Sequence, residues 1–196
     1  VSRSSRRRLG KFTPAELDAG QRAVYDAIAT GPRASGPQLF QLTDEQGRLE
    51  GPFNAFLTQP RLGAALQALG AAVRYQTELP GRSREIAVLV VAQHWSSAFE
   101  QYAHEPIARH LGLTEAELQA IKTGEYDVLP PAEKLVAEIT AELAATGDLT
   151  DAAYTAAVEA LGVQKVFELT TLTGYYATLA LQLKVFRVPL PGDDVS

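Results

Sequence analysis

The stretch that decides the fold runs from Arg82 to His110 and reads RSREIAVLVVAQHWSSAFEQYAHEPIARH. It holds all three histidines, two well-placed glutamates and an apolar run from Ile86 to Ala92. Ile86, Leu89, Val90 and Gln93 recur at helical spacing, which predicts a helix behind Glu85. His94-Trp95-Ser96-Ser97 interrupts the pattern, and Ser97-Ala98-Phe99-Glu100 has the form of a capping box opening a second helix. On that helix Glu100 and His104 are i and i+4 and so share one face. A carboxylate and an imidazole presented together are a candidate acid/base device.

Outward from this segment the chain reads as helix almost throughout. Upstream, Leu79-Pro80-Gly81-Arg82 is a turn, with Ser83 as the expected N-cap and Glu85 in the first helical turn, where the helix dipole favours a negative charge. Leu62, Leu66, Leu69 and Val73 mark an amphipathic helix before it, and Phe53-Asn54-Ala55-Phe56 a short one. Between Pro32 and Pro52 the residues are Gly-, Pro- and polar-rich, and residues 39–50 could pair as a small β-hairpin around Asp44-Glu45-Gln46-Gly47. Thr13-Pro14 reads as a helix start, carrying Leu17, Val24 and Ile28 as its stripe. Downstream, Thr114-Glu115-Ala116-Glu117 is a second capping signature and Gly124 the stop. Pro130-Pro131 and Thr150 open two further helices, and Val163 to Phe186 forms the last. The fold class is all-α.

Composition bounds the rest. The 196 residues, 46% hydrophobic and 21% charged, suit one core. We expect a basic, disordered arm at 1–12, one helical domain at 13–191 and a frayed tail at 192–196. Five of the 18 basic residues, Arg3, Arg6, Arg7, Arg8 and Lys11, lie in the arm, so the body is acidic. Such a body argues against nucleic acid as partner. No apolar span is long enough for a bilayer, so no membrane partner and a cytoplasmic location are expected.

The absence of cysteine forbids thiol chemistry. No Gly-rich phosphate loop, GxSxG or HExxH is present. His104 and His110 are six apart and fall on different helix faces, so no metal site is expected. Each candidate also has a plain structural reading: Glu100 as a cap, His104 as a buried histidine bonded to Glu100, Glu85 as a dipole partner, Trp95 as core.

Residues 82–121 resemble the carboxymuconolactone decarboxylase family, within the alkylhydroperoxidase D-like superfamily. GPFNAFLTQPRL (51–62) and ELTTLTGYYATLALQLKVFRVPLP (168–191) are similar to family segments too, so the resemblance spans most of Gly51 to Pro191. The redox branch carries CxxC, a His four residues later and an upstream Glu. Here the two Cys positions fall on Ser97 and Glu100, the His on His104 and the Glu on Glu85. The chain therefore resembles the cysteine-free branch and not the thiol peroxidases. Its Phe99, Glu100 and His104 keep that branch's pattern, whereas Gln101 replaces the usual Trp.

The resemblance implies an all-helical domain around a core helical hairpin, a homo-oligomer, and cofactor-independent decarboxylation of a small carboxylated lactone or related organic acid. Such a step needs a site for enolate charge and a proton donor for carbon. Glu85, Glu100 and His104 are the expected catalytic residues, and two nearby carboxylates would tend to hold the imidazole protonated. His94, Ser97, Phe53, Asn54 and Tyr175 are expected to line the substrate pocket. Arg82 or Arg84 is expected to offset the substrate's charge. Two alternatives use the same fold: a non-catalytic oligomer binding a ligand or partner, and a hydratase or isomerase using the same residues.

Overall fold

A computed structural model describes residues 7–31, 34–35 and 39–193. Its centre is α4 (Gly81–His94), in which every residue from Ile86 to Ala92 is at most 4% exposed. A helix apolar on all sides has to be covered on all sides. α5 (Ala98–His110), α6 (Glu115–Thr123), α7 (Pro131–Thr146) and α9 (Val163–Phe186) supply that cover. Each fully buried valine or isoleucine contributes roughly 1.5–3 kcal/mol of transfer free energy, so the run makes α4 the anchor of the core.

The helix ends follow local chemistry, with three departures from expectation. Thr114 and Glu117 form the expected reciprocal capping box of α6, and Gly124 and Gly147 close α6 and α7 at positive φ. The Thr150 hydroxyl caps α8 (Asp151–Leu161). Thr13-Pro14, however, opens only a 3-10 turn, Pro14–Glu16, and α1 (Ala19–Ala29) starts at Asp18. Asp18 and Gln21 satisfy each other's backbone N–H groups there, a better cap than Thr13, whose side chain bonds nothing in the turn. Ser83 is not a cap either, because Gly81 already lies in the helix behind Pro80, which places Glu85 beyond the first turn. The Ser97–Glu100 capping box does not form: Ser97 occupies the N-cap of α5 without a side-chain bond.

α3 (Pro60–Tyr75) buries Gly63, Gln67, Gly70 and Val73, while Leu62 and Leu69 are exposed. Gly63 belongs to that face because the start of the helix lies tight against α2 (Phe53–Phe56); a Cβ on Gly63 would run into the Phe56 carbonyl. The hairpin expected at 39–50 reduces to one antiparallel bridge, Thr43 with Leu49, around a turn organised by Asp44. No strand forms among the described residues.

Part of the expected basic arm, from Arg8 onward, is bound to the helical body. Residues 1–6 lie outside the described residues, but Arg8 N–H bonds the Phe186 carbonyl and Phe12 N–H the Asn54 side chain. Lys11 is buried between Asp44 at 3.0 Å and Glu50 at 2.5 Å. Burial alone would raise the Asp44 carboxyl, but Lys11 and Arg48 hold it below its ordinary value. At the other end 194–196 lie outside the described residues, while Asp193 N–H still bonds the Leu190 carbonyl.

Candidate active site

α4 and α5 form an antiparallel hairpin through Trp95, Ser96 and Ser97. Ser96 takes φ +50°, and Ser97 N–H bonds the Ala92 carbonyl, which ends α4 in a left-handed cap. Glu85 lies eleven residues before Ser96 and His104 eight after it. At about 1.5 Å per residue the two stand at similar heights on adjacent helices. Their side chains meet: His104 Nδ1 is 2.6 Å from Glu85 Oε2.

His104 is held from both sides. Its Nε2 faces Glu100 Oε2 at 3.4 Å, one turn back on α5. Only the imidazolium has a proton on each nitrogen, so only that form can donate to both carboxylates. The Tyr176 ring meets the imidazole edge-to-face at 5.2 Å and Tyr175 stacks on Tyr176 in the same manner. Glu85 is fully buried, Glu100 is 3% exposed and His104 5%. Burial by itself would raise the Glu85 carboxyl, but His104 first, then Arg74 and Arg84, outweigh it and hold Glu85 below its ordinary 4.5. An ionised carboxylate at the back of the imidazole fixes its orientation.

His104 and Glu100 open on a small cavity, about 20 Å³, shared with Phe53, Arg74, Phe99 and Tyr175. That is room for one or two waters. Arg74, in the last turn of α3, is the cation of this site. Burial works against its charge, and Tyr176 and Glu85 outweigh that and raise its pKa. Arg74 escaped the sequence reading because a basic residue in the last turn of a helix has an ordinary explanation in the dipole. Its approach to Glu85 and Tyr176 joins three helices that no local spacing connects.

The remaining expected residues divide. Phe53 and Tyr175 line the cavity with Glu100 and His104. Asn54 does not: it is buried away from it, accepting from Phe12 N–H and donating to the Gly10 carbonyl, and so holds the N-terminal segment. His94 is exposed at the end of α4 against Trp95. Arg82 is bound by Glu117 and Glu133 at 2.8 Å each and by the Gly112 carbonyl, on the other side of α4's first turn. Arg84 stands 3.7 Å from Glu85 behind the site. Neither arginine lines the cavity. Ser97 faces a different pocket. Among the described residues no group of three or more His, Cys, Asp or Glu is disposed to hold a metal.

The hairpin of α4 and α5, with α3, α6 and most of α7, matches the description "Carboxymuconolactone decarboxylase family" over residues 60–142. Over those residues the chain is similar to the carboxymuconolactone decarboxylase family. Its fold is similar to that of an AhpD-core, peroxidase-related protein from Ralstonia eutropha, with a TM-score of 0.74 at 13% identity over 94% of this chain and 92% of that one. A protein of unknown function from Agrobacterium tumefaciens matches at TM-score 0.62 and 22% identity, over 74% of this chain and 100% of that one. The debrominase Bmp8 matches at TM-score 0.67 and 10% identity, over 88% and 86%. No curated protein matches the sequence. At these identities the likenesses speak for the fold, and the cysteine-free sequence separates this chain from thiol chemistry. Among the described residues no helix is long and apolar enough to cross a membrane.

Proposed function

We propose that this chain is a cofactor-independent acid/base enzyme that removes CO₂ from a small carboxylated lactone or related organic acid. The observation that carries the reading is His104 clamped between Glu85 and Glu100 at the edge of a cavity that also holds Arg74. In the proposed step the carbon–carboxylate bond breaks and its electron pair moves into the lactone as an enolate. Arg74 balances the developing negative charge, as a fixed cation in a water-poor site does best. The Nε2 proton of His104 passes to the carbon that lost CO₂, and Glu85 keeps the ring oriented through Nδ1. Glu100, beside Nε2, receives the next proton from solvent and returns it to the imidazole.

The test is CO₂ release from γ-carboxymuconolactone by the purified protein. His104→Asn and Glu100→Gln are each expected to lose about 10²- to 10⁴-fold in kcat, the usual contribution of a positioned acid. Wild-type turnover in both variants would sink the assignment. A hydratase or isomerase would use the same residues and differ in substrate.

One observation favours a second reading, a non-catalytic helical oligomer: the cavity beside His104 is only about 20 Å³. Along α9, Val163, Phe167, Leu181 and Val185 are 45–71% exposed, an apolar stripe suited to a second copy of the chain. Sedimentation of Phe167→Glu against wild type tests that contact. A monomer with full activity would separate the oligomer from the chemistry.

A further inference from the structure

A second pocket, about 210 Å³, lies between the N-terminus of α5 and the last turn of α9. Trp95, Ser97, Phe99, Leu183, Lys184 and Arg187 line it. Phe99 borders the His104 cavity as well and stands as the wall between the two. The pocket is ten times roomier than the cavity it adjoins.

Its polar groups are all suited to one kind of ligand. The Ser97 hydroxyl, on a residue 7% exposed, has no hydrogen-bond partner, and neither does the buried Trp95 indole N–H. An indole N–H can only donate, so what it lacks is an acceptor. Lys184 spends one of its three N–H bonds on the Trp95 carbonyl at 2.9 Å, which leaves two for a ligand. Arg187 adds a second cation from φ +50°, a left-handed position that a non-glycine residue holds only against strain. Ala98 and Phe99 belong to the first turn of a 13-residue helix, where backbone N–H groups and the dipole favour an anion. None of the lining residues carries a carboxylate. The side chains of Phe99, Leu183 and Val188 add apolar lining.

We propose that this pocket binds the carboxylate of a small organic acid, with the apolar body of the ligand against Phe99 and Leu183. The carboxylate accepts from Lys184, Ser97 and the indole N–H of Trp95, and Arg187 adds a second positive charge to the pocket. Inorganic anions match the donors but leave the apolar wall bare, so the organic carboxylate is the better fit. The site does not depend on the chemistry of His104.

Trp95 is the single tryptophan, so its emission reports on this pocket directly. Cyclohexanecarboxylate is titrated against the full chain, with the uncharged cyclohexanecarboxamide as the isosteric control. A saturable change is expected, at least about tenfold tighter for the acid than for the amide, as charge-assisted bonds provide. Lys184→Gln combined with Arg187→Gln is expected to weaken the acid by about tenfold or more, and Ser97→Ala by a smaller factor. His104→Asn should bind like wild type. Thermal melts of each variant establish that it is folded, and Lys184→Gln alone, on an exposed side chain, serves if the double variant is not. Equal binding of acid and amide, undiminished binding in the folded lysine and arginine variants, or loss of binding in His104→Asn would each overturn the proposal.

Discussion

Glu85 and His104 are coupled through a buried contact, and the size of that coupling can be measured. Glu85 Oε2 lies 2.6 Å from Nδ1, the Glu85 side chain is fully buried and that of His104 is 6% exposed. Removing one member of a buried charged pair costs about 3–5 kcal/mol, because the survivor keeps its desolvation penalty and loses its partner. Arg84 at 3.7 Å supplies some compensation to an orphaned Glu85, so His104→Ala should fall near the lower figure. Glu85→Gln keeps the volume and one acceptor, so it should cost about 2 kcal/mol, a hydrogen bond to charge exchanged for a neutral one. The double variant leaves neither a stranded carboxylate nor a stranded imidazole. It should therefore be less destabilised than the two single variants together by about 2 kcal/mol, at the upper end of measured couplings. Urea unfolding of the four proteins, with equal m-values, gives the cycle. Additivity within about 0.5 kcal/mol would refute the coupling and leave His104 without its orienting partner.

Three further outcomes follow from the same geometry. Because the Glu85 carboxyl is held below its ordinary 4.5, the stability it contributes is present above pH 4.5 and is lost as pH falls through its lower folded value; Glu85→Gln should flatten that acid limb in pH-dependent unfolding. Gly51→Ala forces a side chain onto φ +60° and into the Phe99 ring, so it should destabilise by at least about 1 kcal/mol in the same assay and disturb the wall between the two pockets. Asn54→Ala removes both bonds to the N-terminal segment and should cost about 2 kcal/mol, with faster tryptic cleavage at Arg7, Arg8 and Lys11; unchanged cleavage would mean that Lys11 with its carboxylates and Arg8 on α9 hold the segment without Asn54.

Most of the fold was legible locally. The capping chemistry of Thr114 and Thr150, the glycine stops at Gly124 and Gly147 and the unbroken apolar run of α4 are interactions among neighbours in sequence, and the helices follow them. Local chemistry misleads where a tertiary contact outbids it. Ser97 and Glu100 have a capping-box sequence, yet Glu100 turns to His104 and Ser97 to the second pocket. Leu62 and Leu69 have the right spacing for a core face, but the close approach of α2 favours Gly63. Asn54, Arg82 and His94 are residue types that suit a site, and packing or pairing places them elsewhere.

The sequence by itself determined that a glutamate and a histidine share one turn of a helix, that a second glutamate precedes them on a buried helix, and that no thiol is available to either. Helical spacing and composition suffice for those statements. Only the tertiary structure decided that Glu85 reaches Nδ1, that Arg74 is the cation beside them, and that the space at His104 is far smaller than the pocket beyond Phe99. Distances between helices depend on how side chains of every size pack across them, and no spacing along one chain segment contains that information.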